Sequence, residues 1–424
     1  MRAAFYECDV TPPLGGFMWG HYRENIAQDV VDRLFVRAMV VEEEGEIAAI
    51  VSVDTCALPP EMHDVVTKRI TQYTGIPAER VCITSNHTHW GAPVFDDPTV
   101  GCYADAAYRD VFYRLTADAV ILAYKRLDTA EASYGTDCVE GITFCRNYIM
   151  EDGTVITHGR NGKAIKGIFS TPDYTLSVLS FRRGDEVIGA MINFSCHQCC
   201  CGNIRGYSGD YSSILSRELK KKFGPDFVSV FVLAPCGDIT HVNNDHSVIA
   251  PDGWYREMGR RIAAKTLCAM ENASPIAHGI AVRKETITLK KRTPDLSAVK
   301  EKLAQLLDND AKLMRLRNLV YYEATNKETS ADLLLQIIRI GDVCICCMPG
   351  EVFINLSRRL RAESVFEKTV VIENCNSYCG YIPTKEAFGE ECDLYETSLC
   401  HHSCLAEDAG DRIVDRLLEM IRTL

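Results

Sequence analysis

Val81-Cys82-Ile83-Thr84-Ser85-Asn86-His87-Thr88-His89-Trp90-Gly91 passes from a short apolar run into polar residues and then a glycine. The run Val81–Thr84 reads as a buried strand, and the residues after it form a loop at the strand's C-terminal end, where α/β proteins expose ligands. In extended backbone, residues two apart point the same way, so His87 and His89 face one pocket. H-x-H alone supports two readings: a metal-facing pair, or two loop histidines bonded to backbone.

The same pattern recurs along the chain. Apolar runs at Leu34–Val41, Ile47–Val53, Thr175–Arg182, Glu186–Phe194, Phe227–Leu233, Ile280–Leu289, Asp332–Ile340, Val343–Cys347 and Thr369–Ile372 read as strands. Helical patterning lies between them, at Glu61–Tyr73, Asp105–Lys125, Ser212–Phe223, Gly253–Met270, Asp295–Asn326, Val352–Arg361 and Arg412–Arg422. Glu42–Glu46, Arg183–Asp185 and Gly341-Asp342 read as hairpin turns, so the expected class is α/β with mixed β-sheets flanked by helices. We find no internal repeat in the sequence. One large domain over 1–424 is expected, with a charged helical segment at 295–330 (Lys300, Lys302, Lys312, Arg315, Arg317) as a peripheral insertion or an ordinary solvated helix face.

Several strand ends carry residues suited to chemistry. His197 ends Ile192-Asn193-Phe194-Ser195-Cys196-His197 as His87 ends its own strand. Glu351 follows Cys347-Met348-Pro349-Gly350 and is expected to open the helix from Val352; an acid there also suits the helix dipole. Asp54, closing Val51-Ser52-Val53-Asp54, reads as an acid supporting a histidine. Catalytic zinc takes neutral imidazoles with a carboxylate or thiolate and keeps one position open, which such a scatter of strand ends supplies.

Composition narrows the classes. With 46 Lys plus Arg against 58 Asp plus Glu, the formal charge is −12, which disfavours nucleic-acid binding. No run approaches a membrane span. The 20 Cys are bunched, as in Cys199-Cys200-Cys201, and awkward to pair. With no signal peptide visible after Met1, they point to a reducing cytoplasm. Taken literally, Cys196-His197-x-Cys199 with Cys400-His401-His402-x-Cys404 would form a structural metal module instead.

In chain order, Asp9-Val10-Thr11-Pro12-Pro13 with Met18 and Gly20, Arg33-Leu34-x-Val36-Arg37-Ala38, Val51–Asp54, His87-Thr88-His89, Phe194-x-x-His197, Ser208-Gly209-Asp210-Tyr211, Gly237-Asp238-Ile239-Thr240, Pro349-Gly350-Glu351 and Asn376-Ser377-Tyr378-x-Gly380-Tyr381-x-x-Thr384 together resemble the neutral/alkaline (non-lysosomal) ceramidase family. The resemblance implies a zinc-dependent amidase with Zn²⁺ held by His87, His197, Glu351 and Tyr381, Tyr378 being the neighbouring choice. It also implies catalytic roles for His89, Arg146, Thr240 and Tyr395, the last paired with Glu396. A Zn²⁺ with an open position lowers the pKa of bound water from about 15.7 to about 7. Oxyanion donors of the kind Arg146 and His89 would provide are worth roughly 3–4 kcal/mol each when lost.

The chain also departs from the family pattern. Trp90 stands where a small Ser is typical, Thr240 replaces a Ser, and Gln198 with three Cys follows His197. Neither a leader nor the family's C-terminal β-domain is expected. The expected partner is therefore a small-molecule N-acyl substrate, either ceramide or a smaller soluble compound. A non-catalytic ligand-binding relative is the alternative, and the sequence names no protein partner.

Overall fold

A computed structural model describes residues 1–21, 24–159, 164–244, 250–293 and 310–424, and the fold is stated for these. The first part of the chain makes an antiparallel meander of β1 (Arg2–Asp9), β2 (Phe35–Glu43) and β3 (Glu46–Val53). Helix α1 (Met62–Thr74) then crosses over to β4 (Val81–Ser85), which pairs parallel to β3, and α2 (Ala106–Tyr124) packs on α1 and the sheet.

The plan then repeats. β5 (Glu131–Cys138), β6 (Thr175–Arg183) and β7 (Glu186–Phe194) form a second meander; α3 (Asp210–Phe223) leads to β8 (Val228–Leu233), parallel to β7, and α4 (Trp254–Glu271) packs on α3. A third set follows: β9 (Ile280–Lys290), β10 (Ser330–Ile340) and β11 (Val343–Cys347), with α5 (Asp310–Thr325) inserted between β9 and β10. Helix α6 (Ile354–Glu363) leads to β12 (Lys368–Ile372), parallel to β11, and α7 (Ala409–Ile421) packs on α6.

The mixed sheets and the three hairpin turns are as the sequence predicts. The repeat is not. Its three copies share a burial rule rather than residues: strands alternate, one face toward their helix pair and the other toward a common centre. Met39, Val41 and Ile50 of the first sheet, Leu179, Phe181 and Val230 of the second, and Ile338, Ile345 and Val370 of the third pack in that centre. Any apolar residue of suitable size satisfies the rule, so the copies carry no detectable identity.

Among the strands that the sequence did not lead us to expect are two long ones. β1 interrupts its apolar residues with Arg2, Glu7 and Asp9, and β5 is mostly polar, with Gly135 inside it. Both are held by the ladders of their neighbours.

Many of the cysteines serve the packing. Cys82, Cys347 and Cys375 lie in the shared centre, and Cys344 and Cys346 in the core between β11 and its helices. All are free thiols, and as small apolar residues they fit such positions.

Candidate functional site

In each repeat the third and fourth strands run parallel, so their C-terminal ends emerge on the same side. Asp54 to Cys56 and Asn86 to His89 leave the first pair, Ser195 to His197 and Ala234 to Asp238 the second, and Met348 to Glu351 and Glu373 to Tyr378 the third. Backbone bonds knit these loops together: His87 N donates to Thr55 O at 3.1 Å, Asn376 N to Ile83 O at 2.6 Å, and Glu373 N to Leu233 O at 3.0 Å. His87 is held at a φ of 64°, in the left-handed region that costs a non-glycine residue energy, so the surrounding bonds fix its direction.

His87, His197 and Glu351 meet there. Their Nε2, Nε2 and Oε2 atoms lie within 4.8 Å of one another, and all three residues are buried. His87 Nε2 is 3.1 Å from His197 Nε2 and 3.4 Å from Glu351 Oε2, and the second pair of this carboxylate, to His197, measures 3.8 Å. The other ring nitrogens face backbone, with Cys56 Sγ 3.5 Å from His87 Nδ1 and Cys236 Sγ 3.9 Å from His197 Nδ1. His87 Nδ1 lies 2.6 Å from Cys56 O, and the His197 ring is bonded by the backbone of Cys236. Anchoring of this kind fixes a tautomer whose Nε2 lone pair points into the site.

Glu351 is divided between two partners. Its Oε1 accepts the Tyr378 hydroxyl at 2.6 Å, while Oε2 is buried without any hydrogen-bond partner. Burial alone would raise its pKa, but interactions with His87 first, and then with His197 and Arg146, outweigh it and hold the carboxyl, as long as the site holds no cation, well below its usual range. An ionised, orphaned carboxylate oxygen facing two imidazole nitrogens is a donor set that fits a cation of zinc's preferences. No sulfur belongs to this group.

Tyr378 and Tyr381 both line the cavity that opens on the site. Tyr381 belongs to a two-residue strand paired with Glu351–Val352, so Glu351 does not open a helix as expected; α6 begins only at Ile354, after that short pairing. The competing partner is distant in sequence: the Gly380 carbonyl accepts from Glu351 N at 2.9 Å, extending the chain there into the pairing with Tyr381.

His89 completes a ring cluster, its Nε2 lying 3.1 Å from His197 Nε2. The backbone passes directly over it: a Cβ on Gly20 would sit 2.6 Å from the His89 ring, and Gly20 has a φ of 103°. Arg146 is buried behind Tyr381, its guanidinium carbon 5.3 Å from that ring's centroid. It is clamped by Glu396, whose Oε1 accepts from Nε at 2.5 Å, and by the Gly237 carbonyl at 2.6 Å. Tyr395 lines the cavity, with its hydroxyl 3.0 Å from His402 Nε2.

Thr240 is buried in a two-residue strand against Phe144 and, like Arg146, is not among the described residues that line the cavity. One expectation is corrected by position. Asp54 meets no histidine; its carboxylate accepts from Arg37 at 3.1 Å, Phe35 N at 2.7 Å and Asn86 Nδ2 at 2.7 Å, so it steadies the residue before His87.

The cysteine–histidine module does not assemble among the described residues. Cys196, Cys199, Cys400 and Cys404 enter no common metal-competent group, whereas Cys82, Cys347 and Cys375 do come together inside the central core.

Sequence reading missed part of the cavity. Trp19, Asp97, His402 and two residues of α5, Met314 and Asn318, line it together with the histidines. Asp97 accepts from Trp19 Nε1 at 2.8 Å and from the Thr99 backbone N–H at 3.0 Å. The segment expected as a peripheral insertion falls partly on 294–309, outside the described residues. Its described part, α5, is inserted between β9 and β10 and is tied to the rest of the chain: Arg315 pairs with Asp393 at 2.8 Å, Arg317 donates to the Thr99 carbonyl at 3.3 Å, and Met314 and Asn318 line the cavity. Behind the site a further buried acid, Glu373, accepts from Cys236 N at 3.1 Å and Val352 N at 2.7 Å.

Comparison with protein-family models and with curated proteins finds no match. Solved structures do match. A structure described as ceramidase complexed with C2 superposes at a TM-score of 0.75 with 17% identity, over 99% of this chain and 74% of that one. Neutral ceramidase from Pseudomonas aeruginosa does so at 0.75 with 19% identity, over 100% and 75%. The chain has the neutral ceramidase fold. No described helix is long and apolar enough to cross a membrane.

Proposed function

We propose that this chain is a metal-dependent amide hydrolase acting on an N-acyl compound, with Zn²⁺ as the metal. The observation that carries the reading is the convergence of His87 Nε2, His197 Nε2 and the orphaned Glu351 Oε2 at the strand ends of a neutral ceramidase fold.

His87, His197 and Glu351 would hold the ion, with Tyr381 as the fourth ligand and Tyr378 keeping Glu351 Oε1 occupied so that Oε2 faces inward. When bound, zinc supplies Lewis acidity and lowers the pKa of water in its open position toward about 7. The protein supplies the rest. Cys56 O and the Cys236 backbone hold the two imidazoles in their ligating orientation. Arg146, fixed by Glu396 and Gly237 O, keeps a positive charge beside Tyr381, where it favours the phenolate and the developing oxyanion.

His89 is set by Gly20 above it and His197 beside it to donate toward a reacting carbonyl oxygen. Tyr395 stands on the same cavity as a proton donor for the leaving amine, positioned by His402. Thr240 supports the strand pair next to Arg146 and takes no chemical step.

The substrate we favour is smaller than ceramide, because Met314 and Asn318 of α5 border the cavity and Asp97, Thr99 and His402 add polar groups to its lining. The free thiols are in keeping with a cytoplasmic setting. The test is metal content with anomalous scattering on the purified protein, followed by a panel of short- and long-chain N-acyl substrates assayed with wild type, His87→Ala and Glu351→Gln. Zinc at His87, His197 and Glu351, with turnover that the variants lose, is expected; equal turnover by wild type and variants would sink the assignment.

A further inference from the structure

Asn318 is a polar side chain that the hydrolytic machinery does not explain. It is 5% exposed, it lines the cavity from α5, and its Oδ1 is buried without a hydrogen-bond partner. Its helix is seated by other residues. Arg315 and Arg317 make the contacts already described, Tyr321 packs edge-on to His401 at 5.4 Å, and the Tyr322 hydroxyl donates to Arg292 O at 3.0 Å. Leu319, next in sequence, is 3% exposed and apolar, so this part of the helix accepts an ordinary core residue.

Nothing in the packing calls for a carboxamide at 318. Burying one unpaired is unfavourable, and an apolar residue of similar size would avoid the penalty. Asp97, on the same cavity, does not relieve it: its carboxylate only accepts, as from Trp19 and Thr99, and the unpaired Asn318 Oδ1 needs a donor.

Resting on the hydrolase reading, we propose that Asn318 is a specificity residue that binds a polar group of the substrate. The substrate is then an N-acyl compound carrying a hydroxyl or carboxamide close to the scissile amide, rather than bare alkyl there. A carboxamide presents both donors and an acceptor, and a hydroxyl or amide answers both. Thr99, Asp97 and His402 give the same side of the cavity a polar character that an alkyl chain would strip of water without return. A site built to pair a substrate hydroxyl discriminates strongly against the analogue lacking it, because its own polar group is then left unpaired.

Matched pairs test this on the zinc-loaded full chain: N-acetylethanolamine against N-acetylpropylamine for the amine side, and N-glycoloyl against N-propionyl amides for the acyl side. In one of the two pairs, wild type should prefer the hydroxylated member by at least about tenfold in kcat/KM. Asn318→Leu, checked for folding by circular dichroism and backed by Asn318→Ala, should erase that preference. If wild type with bound metal hydrolyses neither member of either pair, the hydrolase reading fails, and calorimetric binding decides the role of Asn318 alone. Ethanolamine is then compared with propylamine, and glycolate with propionate. A tenfold preference for a hydroxylated ligand that Asn318→Leu abolishes upholds the proposal. Equal preference, no measurable binding, or a preference that survives the substitution overturns it.

Discussion

The two sides of the cavity are built on opposite principles. The histidine side is made of strand ends fixed by bonds from neighbouring loops, as when Cys56 O holds the His87 ring, Gly380 O holds Glu351 N and the Tyr378 hydroxyl holds Glu351 Oε1. The α5 side is a helix tied by Arg315 to Asp393 and by Arg317 to the Thr99 carbonyl, and among its described side chains it shows the cavity Met314 and Asn318. The first arrangement suits groups that must not move. The second suits groups that select, because a helix face changes residue by residue without disturbing the sheets.

Substitutions on the histidine side should therefore be the most damaging. His87→Ala and Glu351→Gln are each expected to lower metal affinity by more than about 100-fold, since even the partners of such ligands are worth about 10–100-fold. Elemental analysis after dialysis measures this, and full retention of metal would break the contrast. Gly20→Val comes next. Its Cβ would sit 2.6 Å from the His89 ring at a φ of 103°, so His89 must shift. Turnover should fall by about 100-fold while metal content stays at wild type.

A subtler effect is expected behind the ligands. Burial, partly offset by its bonds to Cys236 and Val352, moves Glu373 from 4.5 up to about 8. Between those values the folded chain holds a proton that the unfolded chain has released, so this group's contribution to stability falls as pH rises through the window. Glu373→Gln removes the titration, and urea midpoints at pH 5, 6 and 7 should show a correspondingly flatter pH dependence than wild type. The smallest effect belongs to the helix: Met314→Ala should alter KM by less than about tenfold and leave kcat within error, the pattern of lost uniform binding.

The same contrast explains what was readable in the sequence. His87, His197 and Glu351 follow apolar runs, and a strand running into polar residues is a local signal. β6 to β8 and β10 to β12 were visible for the same reason. Whether those ends converge depends on sheet order, which alternation does not encode, so the threefold plan stayed hidden. The α5 residues gave no signal at all. Met314 and Asn318 sit among Arg315, Arg317 and Lys312, in a pattern that an ordinary solvated helix would also show. Glu351 misled because Pro-Gly-Glu ahead of a helical pattern is a good helix start, and only the distant strand at Tyr381 overrides it. Asp54 misled in a similar way: its neighbour Arg37 lies on another strand of the same sheet.

The three repeats also set an order of events for a chain being synthesised. His87 comes from the first, His197 from the second and Glu351 from the third, so no shorter nascent fragment presents the complete trio. Two repeats can dock and bury much of their apolar surface while the histidines wait for a carboxylate still to emerge. Occupancy of the centre would thus act as a proofreading mark, reporting that the third repeat has been made and has closed against the others.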